Sequence, residues 1–128
     1  FMQELVLIGQ SSEADIATTL LVVPNALEDF KQYLGFIDNA EAVINDMGLE
    51  GIIQLASFHP HYLFDGEPID SASHYSNRSP FPIIHFLREE MLTRVLADFS
   101  NPENIPQRNI ATLQAIGLSQ IEKRWNNL

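Results

Sequence analysis

All four histidines of this chain lie in one stretch, Phe58–Glu90, together with two of its seven basic residues. Imidazole, guanidinium and carboxylate side chains at one place can transfer protons, bind anions or hold a metal ion. The segment between His59 and Pro82 is also long for a loop, and long loops in compact domains often carry function. We therefore expect the functional site in this stretch.

Metal binding is one chemistry that this stretch offers. His59 and His61 flank Pro60 directly after an apolar run, and positions two apart in an extended chain face the same way. Two imidazoles could therefore hold one divalent ion. The side chains that could complete its coordination are Asp65, Asp70 and His85. The alternative is that one of the paired histidines bonds loop backbone and the other is solvated. His74 has no partner at a telling spacing and is interpreted as a solvated loop residue.

Anion binding is a second chemistry. Asn77, Arg78 and Ser79 precede a predicted helix start, where free N–H groups, the helix dipole and a guanidinium attract a carboxylate or phosphate. Arg88 is a second local cation in an acidic chain. Alternatively, both arginines pair with acids and hold the loop down, since buried charges need partners. The acids considered for this role are Asp65, Asp70 and Glu89.

Proton transfer is a third chemistry. His85, Arg88 and Glu89 are spaced to form one patch on the predicted helix. A carboxylate beside His85 could set its tautomer and raise its basicity, as a general base needs. His59 is the other candidate for proton transfer. A structural network that links the helix to the preceding loop explains the same pattern without catalysis, since polar groups on an apolar side need partners.

The segments before this stretch predict the elements that position it. Thr18–Val23 is a β-branched apolar run that Pro24 ends, as in a strand buried on both faces. A helix is predicted from an N-cap at Asn25 to Gly48, and Gly51–Phe58 is predicted as a second strand. This order predicts a right-handed crossover with two parallel strands. The predicted class is α/β, with α+β as the alternative, in a small sheet covered by helices.

Helices are predicted for most of the remaining chain. Met2–Ile8 is interpreted as the last turns of one helix, and Ser79–Phe99 as another that begins with prolines in its first turn. A further helix is predicted for Pro106–Ile116 before Gly117. Ser119 opens a capping-box pattern for a last short helix. We expect all 128 residues to form a single domain.

The composition argues against several partners. A hydrophobic content of 45% and a formal net charge of −10 are typical of an acidic globular domain. This charge argues against nucleic acid and against an anionic membrane surface as partners. No cysteine is present, so the sequence excludes disulfides, thiolate nucleophiles and Cys-ligated metals. We expect a cytoplasmic location, with which the absence of cysteine is compatible, and no apolar run is long enough to span a bilayer.

A family resemblance comes from the motifs taken together. The segments that carry it are Thr18–Pro24, Gly48–Gly51, Gln54–Pro60, Asn77–Pro80, His85, Leu87–Glu89 and Ile105–Gly117. They resemble the DUF1415 family, a bacterial domain of unknown function, over nearly the whole chain. Family members usually carry a further N-terminal segment with an Asn-Leu-Cys-Pro-Phe motif. This sequence lacks that motif, so we expect an N-terminally truncated chain.

The resemblance implies a shared site but no activity. The members of that site would be His59, Asp70, Asn77, Arg78, Ser79, His85, Arg88 and Glu89. One hypothesis is a small-molecule enzyme or binding protein for an anionic ligand, with Arg78 and Arg88 on the anion and His59 or His85 transferring protons. The second is a metal-dependent hydrolase. The third is a non-catalytic interaction domain, whose polar cluster only fixes the loop and whose apolar patch lies elsewhere.

Overall fold

A three-stranded antiparallel sheet organises the computed structural model, which describes residues 1–128. The strands are β1 (Thr18–Val22), β2 (Ile53–Phe58) and β3 (Ile83–Arg88). Their spatial order is β1-β3-β2, so β3 is central and pairs antiparallel with both neighbours. The last strand in the sequence is therefore the one that joins the other two.

The chain also forms five helices. They are α1 (Met2–Gln10), α2 (Phe30–Asp46), α3 (Glu89–Ala97), α4 (Ile105–Ile116) and α5 (Leu118–Trp125). Two short 3-10 turns cover Ala72–Ser76 and Pro102–Asn104. None of the helices combines the length and the apolarity that a bilayer crossing requires.

One face of the sheet forms the hydrophobic core with α1 and α2. Successive side chains of a strand point to opposite faces, and Ile84 and Phe86 of β3 are both completely buried on this side. The core cluster consists of Leu5, Ile8, Tyr33, Ile37, Ile44, Ile53, Ile84 and Phe86. Burying a large apolar side chain of this kind contributes about 1.5 to 3 kcal/mol. This face therefore supplies most of the apolar burial of the domain.

Tyr33 adds a polar link between this core and two strands. Its hydroxyl donates to the carbonyl oxygen of Ile83 at 2.7 Å and accepts from the backbone N–H of Phe58 at 3.0 Å. Burial raises the pKa of Tyr33 to about 12, so the hydroxyl stays protonated and keeps its donor. The end of β2 and the start of β3 are thereby tied to α2.

The opposite face of the sheet is only partly covered, and we call it the open face. Its side chains are Thr18, Leu20, Val22, Gln54, Ala56, Phe58, Ile83, His85 and Leu87. Leu20 and Val22 expose 57% and 46% of their surface. Over the β2 side, α4 approaches close enough for Pro106 and Ile110 to share a cavity with Phe58. The open face is thus largely apolar, with His85 near its centre.

The predicted α/β class with parallel strands is wrong, and the fold is α+β. β1 and β2 do run in the same direction, but β3 lies between them and every ladder is antiparallel. The error arose at Ile83–Arg88, which was predicted as part of a helix. Ile83 and Leu87 on the open face are apolar, as are the buried Ile84 and Phe86. The alternation of apolar and polar residues that marks a half-buried strand is therefore absent from the sequence.

The helix boundaries differ from prediction at two further points. α2 begins after Asp29, whose carboxylate accepts from the N–H of Gln32 at 2.8 Å, and not after Asn25. Leu27 has a left-handed φ of 60°, which prevents a helix from running through it. α3 begins only at Glu89, because the chain before it is strand. The predicted helices at the N-terminus and the C-terminus are confirmed, with Gly117 between α4 and α5. The capping box predicted at Ser119 is wrong, because α5 already begins at Leu118 and has no side-chain cap.

Arg88 joins β3 to the end of α1. Its Nε donates to the carbonyl oxygen of Ile16 at 2.9 Å. One terminal nitrogen donates at 2.9 Å to the carbonyl oxygens of Ile8 and of Ser11. The last carbonyls of a helix lack partners within the helix, and a guanidinium there also suits the negative end of the helix dipole. Arg88 therefore acts as an anchor for α1 and the loop that follows it.

Replacing Arg88 with Met should lower the free energy of unfolding by about 2 to 4 kcal/mol, because several carbonyl groups lose a charged donor. Urea unfolding followed by circular dichroism measures this change. Arg94→Met is the matched control, since Arg94 makes only solvent-exposed ion pairs with Glu13 and Glu90 and should leave stability nearly unchanged. Equal stability of both variants would contradict the anchoring role of Arg88.

Candidate functional site

His59 is a buried structural residue in the turn after β2. Its Nε2 donates to the carbonyl oxygen of Leu27 at 2.9 Å, and its Nδ1 accepts from the backbone N–H of His61 at 3.0 Å. The neutral ring with hydrogen on Nε2 satisfies both bonds. The ring packs against Phe30 and Tyr33. Both ring nitrogens are therefore occupied by backbone, and the bond to Leu27 holds a left-handed leucine in place.

His74 plays the same part inside the loop. It is completely buried; its Nδ1 accepts from the N–H of Phe64 at 3.0 Å and its Nε2 donates to the carbonyl oxygen of Pro68 at 2.7 Å. The prediction that His74 is a solvated loop residue is wrong. Two histidines thus replace regular secondary structure as partners of the loop backbone.

The five side chains proposed for a metal site do not converge on one point, although the ring centres of His59 and His61 lie 5.9 Å apart. The backbone turns at His59, whose carbonyl oxygen accepts from the N–H of Tyr62 at 3.1 Å, so His59 and His61 are not in an extended chain. His61, Asp65 and Asp70 are exposed in the loop, and His85 lies on the open face. No group of three or more histidine or acidic side chains is arranged to hold a metal ion.

Asn77 and Ser79 hold the end of the loop against the sheet. The side-chain amide nitrogen of Asn77 donates to the carbonyl oxygen of Ser57 at 3.1 Å. The backbone carbonyl oxygen of Asn77 accepts from the backbone N–H of His59 at 3.1 Å. The Ser79 hydroxyl is buried and donates to the carbonyl oxygen of Phe81. Both residues therefore position the segment on either side of Arg78.

Arg78 differs from its neighbours because the two terminal nitrogens of its guanidinium have no hydrogen-bond partner in the chain. The guanidinium carbon lies 4.4 Å from the centre of the Tyr75 ring, and Nε donates to the carbonyl oxygen of Tyr62 at a long 3.4 Å. Trp125 of α5 braces the Tyr75 ring edge-on at 5.8 Å. Both ion pairs of the chain involve Arg94, so the half-buried charge of Arg78 has no acidic partner.

The terminal nitrogens of Arg78 face solvent. They donate to no group of the chain, and no buried side-chain nitrogen or oxygen lacks a partner, so these nitrogens are accessible. Stacking on Tyr75 restricts the plane of the guanidinium, and the Nε bond restricts its rotation. The result is a held guanidinium edge that can donate two parallel hydrogen bonds to an oxyanion.

His85 is a polar residue held in one tautomer on the open face. Its Nε2 lies 2.5 Å from the hydroxyl oxygen of Thr18, and that hydroxyl donates its own proton to the carbonyl oxygen of Phe86 at 2.7 Å. Nε2 must therefore carry the hydrogen, and Nδ1 presents a lone pair that no group of the chain uses. Burial lowers the pKa of His85, and no charged neighbour contributes to the shift.

The predicted patch of His85, Arg88 and Glu89 does not form. It assumed helical spacing, whereas alternation along β3 puts His85 on the open face and Arg88 on the opposite side. Glu89 begins α3, and its N–H donates to the carbonyl oxygen of Ile52 at 3.0 Å. Its side chain lines a groove of about 610 Å³ at the far end of β3. The three residues therefore serve separate parts of the molecule.

The family is decided by the match to a family model. The model described as "Protein of unknown function (DUF1415)" matches residues 1–123 of the chain. The chain belongs to the DUF1415 family. This confirms the resemblance drawn from the motifs. The DUF1415 chain matches no curated protein and no solved structure.

Two residues that position Arg78 and His85 in the DUF1415 domain were not identified from the sequence. Thr18, which sets the tautomer of His85, is 67 residues away in the sequence, and only the β1–β3 register brings them together. The contact between Tyr75 and Arg78 could more readily be predicted from the sequence, because the two residues are three apart. Residues three apart lie above one another in a 3-10 turn, and Tyr75 lies in a 3-10 turn that ends at Ser76.

Replacing His59 with Phe should lower the free energy of unfolding of the DUF1415 domain by about 2 to 4 kcal/mol. The ring volume is kept, but Leu27 and His61 each lose a buried hydrogen-bond partner. Thermal and urea unfolding measure the loss. His61→Ala is the control, because the exposed ring makes no hydrogen bond, and it should change little. The opposite ranking of the two variants would argue against the structural role of His59.

Stability should depend on pH through His85. Burial lowers the folded-state pKa of His85 from its ordinary value of 6.5. At pH values between the two pKa values, the unfolded chain therefore binds a proton at His85 that the folded chain does not. Stability is then lost as the pH falls from about 6.5 toward the folded-state pKa. Urea unfolding at a series of pH values should show a steeper loss for the natural chain than for His85→Gln. Parallel curves would contradict the lowered pKa.

Proposed function

We propose that this DUF1415 domain binds a small anionic molecule through a carboxylate or phosphate group, and that Arg78 is the residue that holds it. The observation that carries this proposal is a half-buried guanidinium without an acidic partner in a chain of net charge −10. Seventeen acidic residues are available, yet none pairs with it. A partly desolvated charge that the fold leaves unpaired is well suited to an external counter-ion.

The local geometry supports binding of a planar or tetrahedral oxyanion. The guanidinium is already held by Tyr75 and by the Tyr62 carbonyl, so little side-chain freedom is lost when it binds a ligand. The backbone N–H groups of Arg78 and Ser79 also donate to no acceptor in the chain. A strand follows this segment, so a helix dipole is not part of the proposed site.

The side chains of the other residues that the sequence predicted to bind the ligand do not contact the anion in this proposal. Asn77 and Ser79 position Arg78 through bonds to the backbone. Arg88 is committed to the end of α1, and Asp70 lies exposed in the loop. Neither has a role in the proposed anion site. The metal-dependent alternative gains no support from a histidine whose two nitrogens both bind backbone.

The test is titration of the whole chain with inorganic phosphate and with succinate, followed by NMR of backbone and arginine side-chain N–H groups. Saturable shifts at Arg78 and Ser79 are expected. Arg78→Gln should weaken binding by about tenfold or more, because a bidentate charged contact is lost. Arg78→Lys should be intermediate, since it keeps the charge without the fork.

Arg108→Gln is the matched control, because it removes the same charge from an exposed position on α4. It should leave the affinity for both anions unchanged. Equal losses in Arg78→Gln and Arg108→Gln would mean that only net charge matters, and the proposed site would then be wrong. Failure of the natural chain to bind either anion would also overturn the proposal.

A further inference from the structure

A cavity of about 640 Å³ lies beside the open face, between the loop and α4. Ala56 and Phe58 of β2 form its sheet wall, and Phe64 and Ile110 add apolar walls from the loop and the helix. Pockets of about 300 to 1,000 Å³ with mainly apolar walls hold small molecules. The space is therefore of a size to accept one.

The charged groups in this cavity are all negative. Asp65 and Glu67 line it, and no lysine, arginine or histidine does. Neither carboxylate forms an ion pair. The hydroxyls of Ser71 and Ser73 hold one oxygen of Glu67, at 3.1 and 3.4 Å, while Asp65 binds nothing in the chain. The cavity thus offers two uncompensated negative charges, one of them held in position.

The aromatic rings favour the same kind of ligand. Phe58 and Phe64 line the cavity together with the carboxylates. An organic cation over an aromatic ring gains attraction from the negative face of the ring, and more so when it is partly desolvated. An anion would be repelled both by the ring faces and by the carboxylates.

His85 does not line the cavity itself but neighbours two residues that do, Ala56 and Phe58. It lies opposite Ala56 in the β2–β3 register, and its ring centre is 6.4 Å from that of Phe58. Because Thr18 keeps the hydrogen on Nε2, Nδ1 of the neutral ring can only accept a hydrogen bond. A ligand group that meets it must be a donor.

We infer that this cavity and the adjoining His85 form a site for a small molecule that carries a protonated amine on an apolar body. The carboxylates and the rings bind the ammonium group, His85 Nδ1 accepts an N–H bond, and the apolar side chains of the open face cover the rest. This site goes beyond the proposed anion site, since it has the opposite charge preference and uses different side chains from Arg78.

The experiment compares three probes of nearly the same shape against the whole chain: 2-phenylethylammonium, 2-phenylethanol and phenylacetate. Calorimetry gives the affinities, and NMR gives the location. The ammonium should bind saturably, with shifts at Ala56, Phe64 and Asn109, which lines the same cavity. The alcohol should bind about tenfold more weakly because it lacks the charge. Phenylacetate should not bind in this cavity.

Variants locate the interaction. Asp65→Asn and Glu67→Gln should each weaken ammonium binding by about three- to tenfold, and His85→Leu by about fivefold or more. Glu28→Gln removes a carboxylate from an exposed position outside the cavity and should have no effect. Arg78→Gln should also leave ammonium affinity unchanged, which separates this site from the anion site.

Equal affinities for the three probes, or absence of saturable ammonium binding, would overturn the inference. So would shifts that map to the acidic groove formed by Asp38, Glu41, Glu50 and Glu89 in place of the cavity. Backbone NMR spectra of each variant report whether it is folded, so a loss of binding in a folded variant can be assigned to the missing side chain.

Discussion

The pairing of β3 with two neighbours is the constraint on which the rest of the domain depends. A central strand has one face for the core and one for everything else, and alternate residues must take opposite sides. Ile84 and Phe86 pack into the core, so His85 between them must point to the open face. Arg88 is on the same face as Ile84 and Phe86, and it bonds to the end of α1. One six-residue strand therefore distributes side chains that look adjacent in the sequence to separate parts of the molecule.

Bonds from buried and half-buried side chains to the main chain stabilise the segments that lack regular structure. His59, His74, Asn77 and Arg88 all pair with backbone groups, as polar groups removed from water must. In such a background an unpaired polar group is informative. Arg78 and His85 stand out because the fold holds each of them in place and leaves part of each free.

The sequence allowed a good prediction of the family, of four helices and of the first two strands. Their signals are local: β-branched runs, a proline at Pro24 and a glycine at Gly117 that end elements. The third strand was missed because both of its faces are apolar, and the parallel sheet followed from that error. The site could be predicted only as a region. Whether a histidine binds backbone or remains free depends on partners such as Leu27 and Thr18, which only the tertiary fold brings near.

The order β1-β3-β2 also has a consequence for the nascent chain. β1 pairs Thr18 with Leu87 of β3, so it has no partner until α2, β2 and the loop after β2 have been synthesised. The bond between Arg88 and Ile8 spans 80 residues in the sequence. Contacts this distant slow folding, and an uncharged apolar strand exposed in the meantime is prone to pair with other chains. During translation, β1 is therefore open to pairing with other chains until β3 has been synthesised.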